Sequence, residues 1–185
     1  MSAQLEPRRF NVTEYYQMAE AGVLKPDDRV ELIEGEVIKM SPIGIKHAAC
    51  VRRLDGVLQS KFGPKAVSVQ SPVRLNDFSE PEPDVALVRS RDDFYSEHHP
   101  TPDDTLLIVE VADTTVLTDR NIKVPLYARA KVPEVWLINL PDELIEVYYE
   151  PYNGTYQQSS KFNRGEVAVS PTIADLSVDV NEVLG

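Results

Sequence analysis

The residues from Thr105 to Val111 constrain the fold more than any other part of the sequence, because they form its most apolar run. Such a run is typical of a strand that is covered on both faces of a sheet. A segment of helical character, Thr118 to Ala130, follows it, and then a second apolar strand, Val135 to Leu140. Strand, helix and strand in this order predict a βαβ-like unit. Pro125 must either kink the helix or mark its true start.

The N-terminal part predicts a short helix and a hairpin. A helix is expected from Asn11 to Ala21, because Asn11 and Glu14 have the spacing of a capping box. Two short apolar segments, Val30 to Ile33 and Val37 to Met40, flank a Glu-Gly-Glu sequence. Glycine between two such segments is a hairpin signal.

A longer helix is expected from about Lys46 to Phe62, since His47, Val51, Leu54 and Leu58 fall on one helical face. Beyond it lie three β-like stretches, residues 66–70, 73–75 and 84–88. Near the C-terminus, residues 144–149 and 155–162 predict a hairpin around an Asn-Gly turn. The tail, residues 167–184, is weakly strand-like and is expected to fray.

These elements predict one α/β domain over residues 1–185, with a mixed β-sheet flanked by helices and with hairpin additions near both ends. Composition fits this prediction. Hydrophobic residues make up 42% of the chain and charged residues 26%. Both fractions are ordinary for a globular protein and exclude disordered and collagen-like classes.

Charge and cysteine content limit the partners and the compartment. Thirty acidic and nineteen basic residues give a formal net charge of −11, which argues against a polybasic membrane anchor and against coating of nucleic acid by bulk charge. A local contact with nucleic acid through a divalent metal and a basic strip remains open. The single cysteine favours a reducing compartment. With no signal-like apolar run at the N-terminus and no stretch of ~20 apolar residues, we expect a soluble cytoplasmic protein.

Three charged residues stand out against this background. Glu110 lies near the end of the apolar strand, where a carboxylate is costly to bury without a cation or hydrogen bonds. Asp84 follows a proline-rich entry to its own apolar run, although a turn cap is the common role of a Pro-Asp pair. Lys123 follows Asp119 by four residues, so the two could simply form a solvated ion pair on one helical face. Two acids at the ends of strands with a nearby lysine could instead hold Mg²⁺ and activate water.

Five sequence blocks, in this order and spacing, resemble a large bacterial family of restriction endonuclease-like proteins within the PD-(D/E)XK nuclease superfamily. The blocks are Pro83-Asp84, Ile108 to Asp113, Asp119 to Lys123, Tyr127 to Ala130 and Pro133 to Ile138. The N-terminal hairpin, followed by Ser41-Pro42 and His47, is similar to the same family. The resemblance extends from about Thr13 to the C-terminus and implies a restriction endonuclease-like core.

The resemblance also implies roles for individual residues. Asp84 and Glu110 match the two acids of the family motif and would bind Mg²⁺ or Mn²⁺. The usual superfamily lysine lies two residues after the second acid, where this chain has Ala112. Lys123 would therefore be a displaced lysine supplied by the following helix. Glu31 would be an N-terminal acid of the same site, with Glu34 and Glu36 as alternatives. His47 is a further candidate catalytic residue, although a histidine on an apolar helix face is more often part of the core.

The implied function is metal-dependent hydrolysis of phosphodiester bonds in DNA. The alternative is a non-catalytic binding or assembly module that keeps the nuclease fold, which the negative charge favours. A local basic face would support the nuclease instead, and its candidates are Arg52, Arg53, Lys61 and Lys65. A homodimer is a further expectation, since cutting both strands of a duplex needs two sites.

Overall fold

The computed structural model describes residues 7–25 and 27–185, so most of the N-terminal stretch on which the absence of a signal peptide was predicted lies outside the described residues. Within the described residues the elements follow in this order: α1 (Val12–Glu20), β1 (Val30–Ile33), β2 (Glu36–Lys39), α2 (Ile45–Phe62), β3 (Val67–Val69), β4 (Val85–Val88), β5 (Thr105–Ala112), α3 (Val116–Thr118), a π-helical turn (Asp119–Lys123), α4 (Val124–Arg129), β6 (Glu134–Asn139), β7 (Leu144–Tyr152), β8 (Thr155–Asn163), β9 (Val167–Val169), β10 (Ser177–Asp179) and α5 (Val180–Leu184).

Six strands form a central mixed sheet in the order β3-β4-β5-β6-β7-β8. The pair β5–β6 is parallel, and every other neighbouring pair in this sheet is antiparallel. The parallel pair is the one that the helical segment connects, because parallel strands need a crossover. The predicted βαβ-like unit and the mixed α/β fold are therefore confirmed.

The two faces of the sheet have separate cores, and the alternation of side chains along β5 assigns residues to them. Leu107 and Val109 pack with Trp136 of β6 and with Leu54 and Leu58 of α2. On the other face, Ile108 packs with Val124, Leu126 and Tyr127 of α4. Glu110 has the same parity as Ile108 and is buried with it on the α4 side.

The helix between β5 and β6 begins at Val116, two residues before the predicted start, and contains a π-helical turn. The amide of Val124 donates to the carbonyl of Asp119, five residues earlier. Pro125 follows in the first turn of α4, where its missing N–H costs least. Pro125 therefore lies at the start of α4, which agrees with one of the two predicted alternatives, and the wider turn before it connects α3 to α4.

Both predicted hairpins and the N-terminal helix are confirmed. Asn11 Oδ1 accepts a hydrogen bond from the Glu14 amide at 2.9 Å, and Glu14 Oε2 accepts one from the Asn11 amide at 3.1 Å, which completes the capping box. β1 pairs with β2, and β7 pairs with β8 across Asn153 and Gly154. Both turn residues have positive φ, as the two-residue hairpin turn requires.

Two predictions were wrong. Residues 73–75 form no strand, because the Val73 and Leu75 amides donate to the carbonyls of Pro81 and Ser79 in a local loop. The C-terminal tail does not fray: β9 pairs with β10, and α5 buries Val180 and Val183 in the core on the α2 side. The last carbonyl of α5, on Leu184, accepts a hydrogen bond from Arg53 at 2.9 Å.

Candidate active site

A cavity of about 470 Å³ opens where β4 begins and β5 ends, between the N-terminal hairpin, the start of α2 and the π-helical turn. All five predicted site residues line it, namely Glu31, His47, Asp84, Glu110 and Lys123. Three further acids and two further cations also line it, namely Glu82, Asp113, Asp119, Arg29 and Lys39. The fold therefore brings together predicted site residues that lie up to 92 positions apart in the sequence.

Asp84 lies directly before β4, in line with Glu110 on β5. The last paired residues of these antiparallel strands are Val85 and Val109, so the same register extended by one residue sets Asp84 opposite Glu110. Asp84 Oδ2 accepts a hydrogen bond from the Val111 amide at 2.8 Å, and His47 Nε2 lies 3.0 Å from the same oxygen. Two donors from different elements thus fix the orientation of this carboxylate.

Lys123 forms a buried network with two glutamates. Its Nζ lies 3.1 Å from Glu31 Oε2 and 3.3 Å from Glu110 Oε1, and all three side chains are at most 8% exposed. Tyr127 donates a hydrogen bond to Glu110 Oε1 at 2.5 Å. The alternative of a solvated ion pair between Lys123 and Asp119 is therefore wrong, because Asp119 is itself buried and accepts a hydrogen bond from the Thr115 hydroxyl.

Burial and charge shift the proton affinities of this network in ways that matter for its chemistry. Burial raises the pKa of Glu110 to about 8, although Lys123 opposes the shift. Burial alone would lower the pKa of Lys123, but the charges of Glu110 and Glu31 outweigh it and hold that pKa above its ordinary value. Lys123 is therefore an ammonium at neutral pH.

Glu31, rather than Glu34 or Glu36, reaches the cavity. Its Oε2 accepts a hydrogen bond from the Glu82 amide at 3.1 Å in addition to the contact with Lys123. Glu34 is exposed and pairs with Arg129 at 2.9 Å. Glu36 lies at the surface, 3.8 Å from an Arg9 nitrogen.

The basic residues of the cavity differ from those predicted. Arg29 and Lys39, on either side of the hairpin, line it, whereas the predicted basic face on and after α2 does not. From that face, Lys65 pairs with Asp92 at 2.7 Å, and Arg53 donates to the C-terminal carbonyls. No local pattern marked Arg29 or Lys39, because only the pairing of the hairpin with the loop before β4 sets their position.

Asp119 and Glu82 are cavity acids that the sequence analysis did not assign. Burial raises the pKa of Asp119, and burial together with the charge of Glu31 raises the pKa of Glu82. A signal existed for both. Glu82 precedes Asp84 by two residues, so an extended chain would aim both side chains the same way. Asp119 belongs to the same sequence block as Lys123.

The two acids opposite one another fit a hard divalent cation. Asp84 Oδ1 has only a long contact, 3.4 Å, with Gln70 Nε2. Glu110 Oε2 accepts no hydrogen bond from the described residues. Among the described residues, no group of three or more His, Cys, Asp or Glu side chains is arranged to bind one metal ion together. Mg²⁺ commonly uses one or two carboxylates and fills its other positions with water and substrate phosphate.

Comparison with known proteins gives a family and a related fold. A family model described as "Uma2: Putative restriction endonuclease" matches residues 12–181. Among solved structures, the chain is similar to a putative nuclease belonging to DUF820 from Anabaena variabilis ATCC 29413, with a TM-score of 0.69 and 16% sequence identity. The match covers 96% of this chain and 98% of the other.

The search among curated proteins found no significant match. Over residues 7–25 and 27–185, no helix has both the length and the apolar character needed to cross a membrane.

Proposed function

From its membership of the Uma2 family, described as putative restriction endonucleases, we propose that the chain is a metal-dependent endonuclease that hydrolyses DNA phosphodiester bonds. One observation carries the proposal: Asp84 and Glu110 stand opposite each other at the edge of a cavity, with the buried ammonium of Lys123 against Glu110. Two carboxylates and a lysine in one cavity are the parts that hydrolysis of a phosphodiester needs.

Asp84 and Glu110 would hold Mg²⁺ or Mn²⁺ through Asp84 Oδ1, which has only the long contact with Gln70, and through Glu110 Oε2, which accepts no hydrogen bond from the described residues. When bound, the ion polarises a phosphate oxygen and lowers the pKa of a water molecule. His47 and the Val111 amide hold Asp84 in position for this role.

Lys123 provides fixed positive charge. Because its pKa is raised, it stays protonated and stabilises the negative charge that develops on the phosphate oxygens in the transition state. Glu31 and Glu110 fix the ammonium from two sides, which limits the reorganisation required during reaction.

The acidic cavity implies that substrate binding depends on the cation and on a few basic residues. Six acids and three basic residues line it, so the phosphate backbone would meet Arg29 and Lys39 at the hairpin. We also propose a cytoplasmic location, which the buried free Cys50 supports, and a homodimer, which would place two sites on a duplex.

A second candidate is a non-catalytic binding or assembly module with the nuclease fold. The excess of acids in the cavity and the net charge of −11 favour it, because affinity for nucleic acid rests on basic contacts.

A nuclease assay separates these candidates. Supercoiled, linear duplex and single-stranded DNA, and RNA, would be incubated with the protein in Mg²⁺, Mn²⁺ or EDTA. We expect cleavage of DNA that requires the metal and that Glu110→Gln abolishes, while Glu146→Gln, a change in a buried glutamate outside the cavity, preserves it. A folded protein that cleaves none of these substrates would contradict the proposal and favour the module.

A further inference from the structure

Hydrolysis needs a group that accepts a proton from the attacking water, and the residues assigned so far cannot supply one. Lys123 stays protonated between two carboxylates, so it has no lone pair to offer. Asp84 and Glu110 are assigned to the cation. Glu31 is the buried counterion of Lys123, and its Oε2 also accepts a hydrogen bond from the Glu82 amide.

His47 is also a poor proton acceptor. Nε2 is engaged with Asp84 Oδ2 at 3.0 Å. Nδ1 is buried, and no hydrogen-bonding group among the described residues contacts it. Neither ring nitrogen is therefore available to a water molecule in the cavity, and His47 acts on Asp84 instead.

Asp119 differs from Glu31 and Glu110 because it forms no ion pair among the described residues. It lines the cavity and is only 6% exposed. Oδ2 accepts a hydrogen bond from the Thr115 hydroxyl at 2.6 Å, and Oδ1 accepts none from the described residues. The π-helical turn holds it one turn from Lys123 with both side chains buried, so the base and the ammonium face the same cavity.

We propose that Asp119 is a catalytic residue of this site, the general base that accepts a proton from the attacking water through Oδ1. The inference rests on the proposed nuclease function. In the step, the water O–H bond breaks and its proton passes to Asp119, while the water oxygen bonds to phosphorus. The bond from phosphorus to the leaving oxygen breaks, its electron pair stays on that oxygen, and solvent supplies a proton to it.

The surroundings of Asp119 suit a base. Burial disfavours its charge, and the charges of Asp84, Glu110 and Glu31 act in the same direction, whereas Lys123 and the Thr115 hydroxyl stabilise the ionised form. The net effect raises its pKa towards the working pH, where a base is most effective. Glu82 and Asp113 line the same cavity but are partly exposed, and neither belongs to the π-helical turn that carries Lys123.

The test measures kcat against pH at metal concentrations that saturate each variant. The wild type should lose activity on the acidic side as Asp119 becomes protonated. Asp119→Asn should lower kcat by about 10²–10⁴-fold and should remove this acidic limb. It should keep the increase in Tm produced by Mn²⁺, because Asp84 and Glu110 remain.

Two further variants keep the test specific. Thr115→Val removes the hydrogen bond to the ionised carboxylate and should move the acidic limb upward by about one pH unit. Glu82→Gln, a matched change in a cavity acid, should leave the position of the limb unchanged.

The outcomes separate the two claims. If the wild type cleaves DNA but Asp119→Asn retains the acidic limb and most of kcat, the role of Asp119 is wrong and the nuclease proposal stands. The same conclusion follows if Thr115→Val leaves the limb in place while Glu82→Gln moves it. A wild type that cleaves nothing overturns both.

Discussion

Two buried glutamates face the same helical segment on the same side of the sheet, yet their surroundings differ. Glu146 on β7 accepts hydrogen bonds from Arg120 through both oxygens and from the Tyr148 hydroxyl. Glu110 on β5 shares one oxygen between Lys123 and Tyr127, and its other oxygen has no partner among the described residues. Arg120 and Lys123 both come from the π-helical turn.

The pKa values of these two glutamates move in opposite directions. Burial raises the pKa of Glu146, but hydrogen bonds from Arg120 and Tyr148 outweigh it, so that pKa lies below its ordinary value. Burial raises the pKa of Glu110 to about 8, and Asp119, Asp84 and Glu31 add to the effect. Glu146 therefore forms a fully hydrogen-bonded ion pair that holds the π-helical turn against the sheet. Glu110 instead keeps one carboxylate oxygen that could bind a cation.

The largest expected effect comes from neutralising the two glutamates one at a time. Glu110→Gln should abolish metal-dependent cleavage, because it removes the charge proposed to hold the ion. Glu146→Gln should retain most activity, since its partner Arg120 does not line the cavity. Cleavage rates of purified, folded variants test this difference. Equal activity in the two variants would contradict the assignment of Glu110, and not Glu146, to the cation site.

Replacing Lys123 should have the next largest effect. Lys123→Met should lower kcat by about 10²–10³-fold, the cost of removing one group that stabilises transition-state charge. The increase in Tm with Mg²⁺ should persist, because both proposed ligands remain. Without metal the variant should be less stable, as Glu31 and Glu110 lose their buried counterion. Normal cleavage by folded Lys123→Met protein would exclude the lysine from the chemistry.

Stability should depend on pH differently at the two glutamates. The Glu110 carboxyl ionises near its ordinary value of 4.5 when unfolded but near 8 when folded, so the unfolded state loses the proton first. The free energy of unfolding should therefore fall as pH rises between these values, by about 4 kcal/mol. Glu146, with a lowered pKa, contributes stability that is lost on acidification below its ordinary value.

Urea unfolding in metal-free buffer tests the sign of each contribution. Relative to wild type, Glu110→Gln should gain stability progressively between pH 5 and pH 8. Glu146→Gln should be less stable than wild type near neutral pH. This difference should disappear at low pH, where the Glu146 carboxyl of the wild type becomes protonated. A constant difference from wild type for Glu110→Gln across this range would show that Glu110 does not titrate there.

A smaller effect is expected from removing the cation of the satisfied pair. Arg120→Met should destabilise the protein by about 2 kcal/mol, because it leaves a buried carboxylate with fewer donors. The Mn²⁺-induced increase in Tm should remain close to that of wild type. Loss of that increase would mean that the site binds metal only when the ion pair between Arg120 and Glu146 holds the π-helical turn against β7.

The sheet core could be predicted from the sequence because apolar strands are a local signal, whereas the roles of Asp84 and Glu110 were implied by the family resemblance. Glu110 lies near the end of its apolar run, and Asp84 lies directly before the apolar run of β4. Burial of Lys123 had no such signal, since i,i+4 spacing from Asp119 is equally typical of a solvated pair. The π-helical turn and the contacts of the N-terminal hairpin decide that position, and both depend on tertiary packing.

The same reason explains what was missed elsewhere. The contact between His47 and Asp84 joins residues 37 positions apart, so neither local segment specifies it. In the tail, Val180 and Val183 are too few to define a helical face in the sequence. They are ordered because they pack into the hydrophobic core on the α2 side.

Direct measurement of Mn²⁺ binding tests the central claim, that Asp84 and Glu110 form the cation site. Electron paramagnetic resonance or calorimetric titration would compare wild type with Asp84→Asn, Glu110→Gln and Glu146→Gln at one pH and salt concentration. We expect wild type and Glu146→Gln to bind Mn²⁺, and both Asp84→Asn and Glu110→Gln to lose this binding. An unchanged Kd in Glu110→Gln would contradict it, because the ion would then bind without the carboxylate on which the site depends.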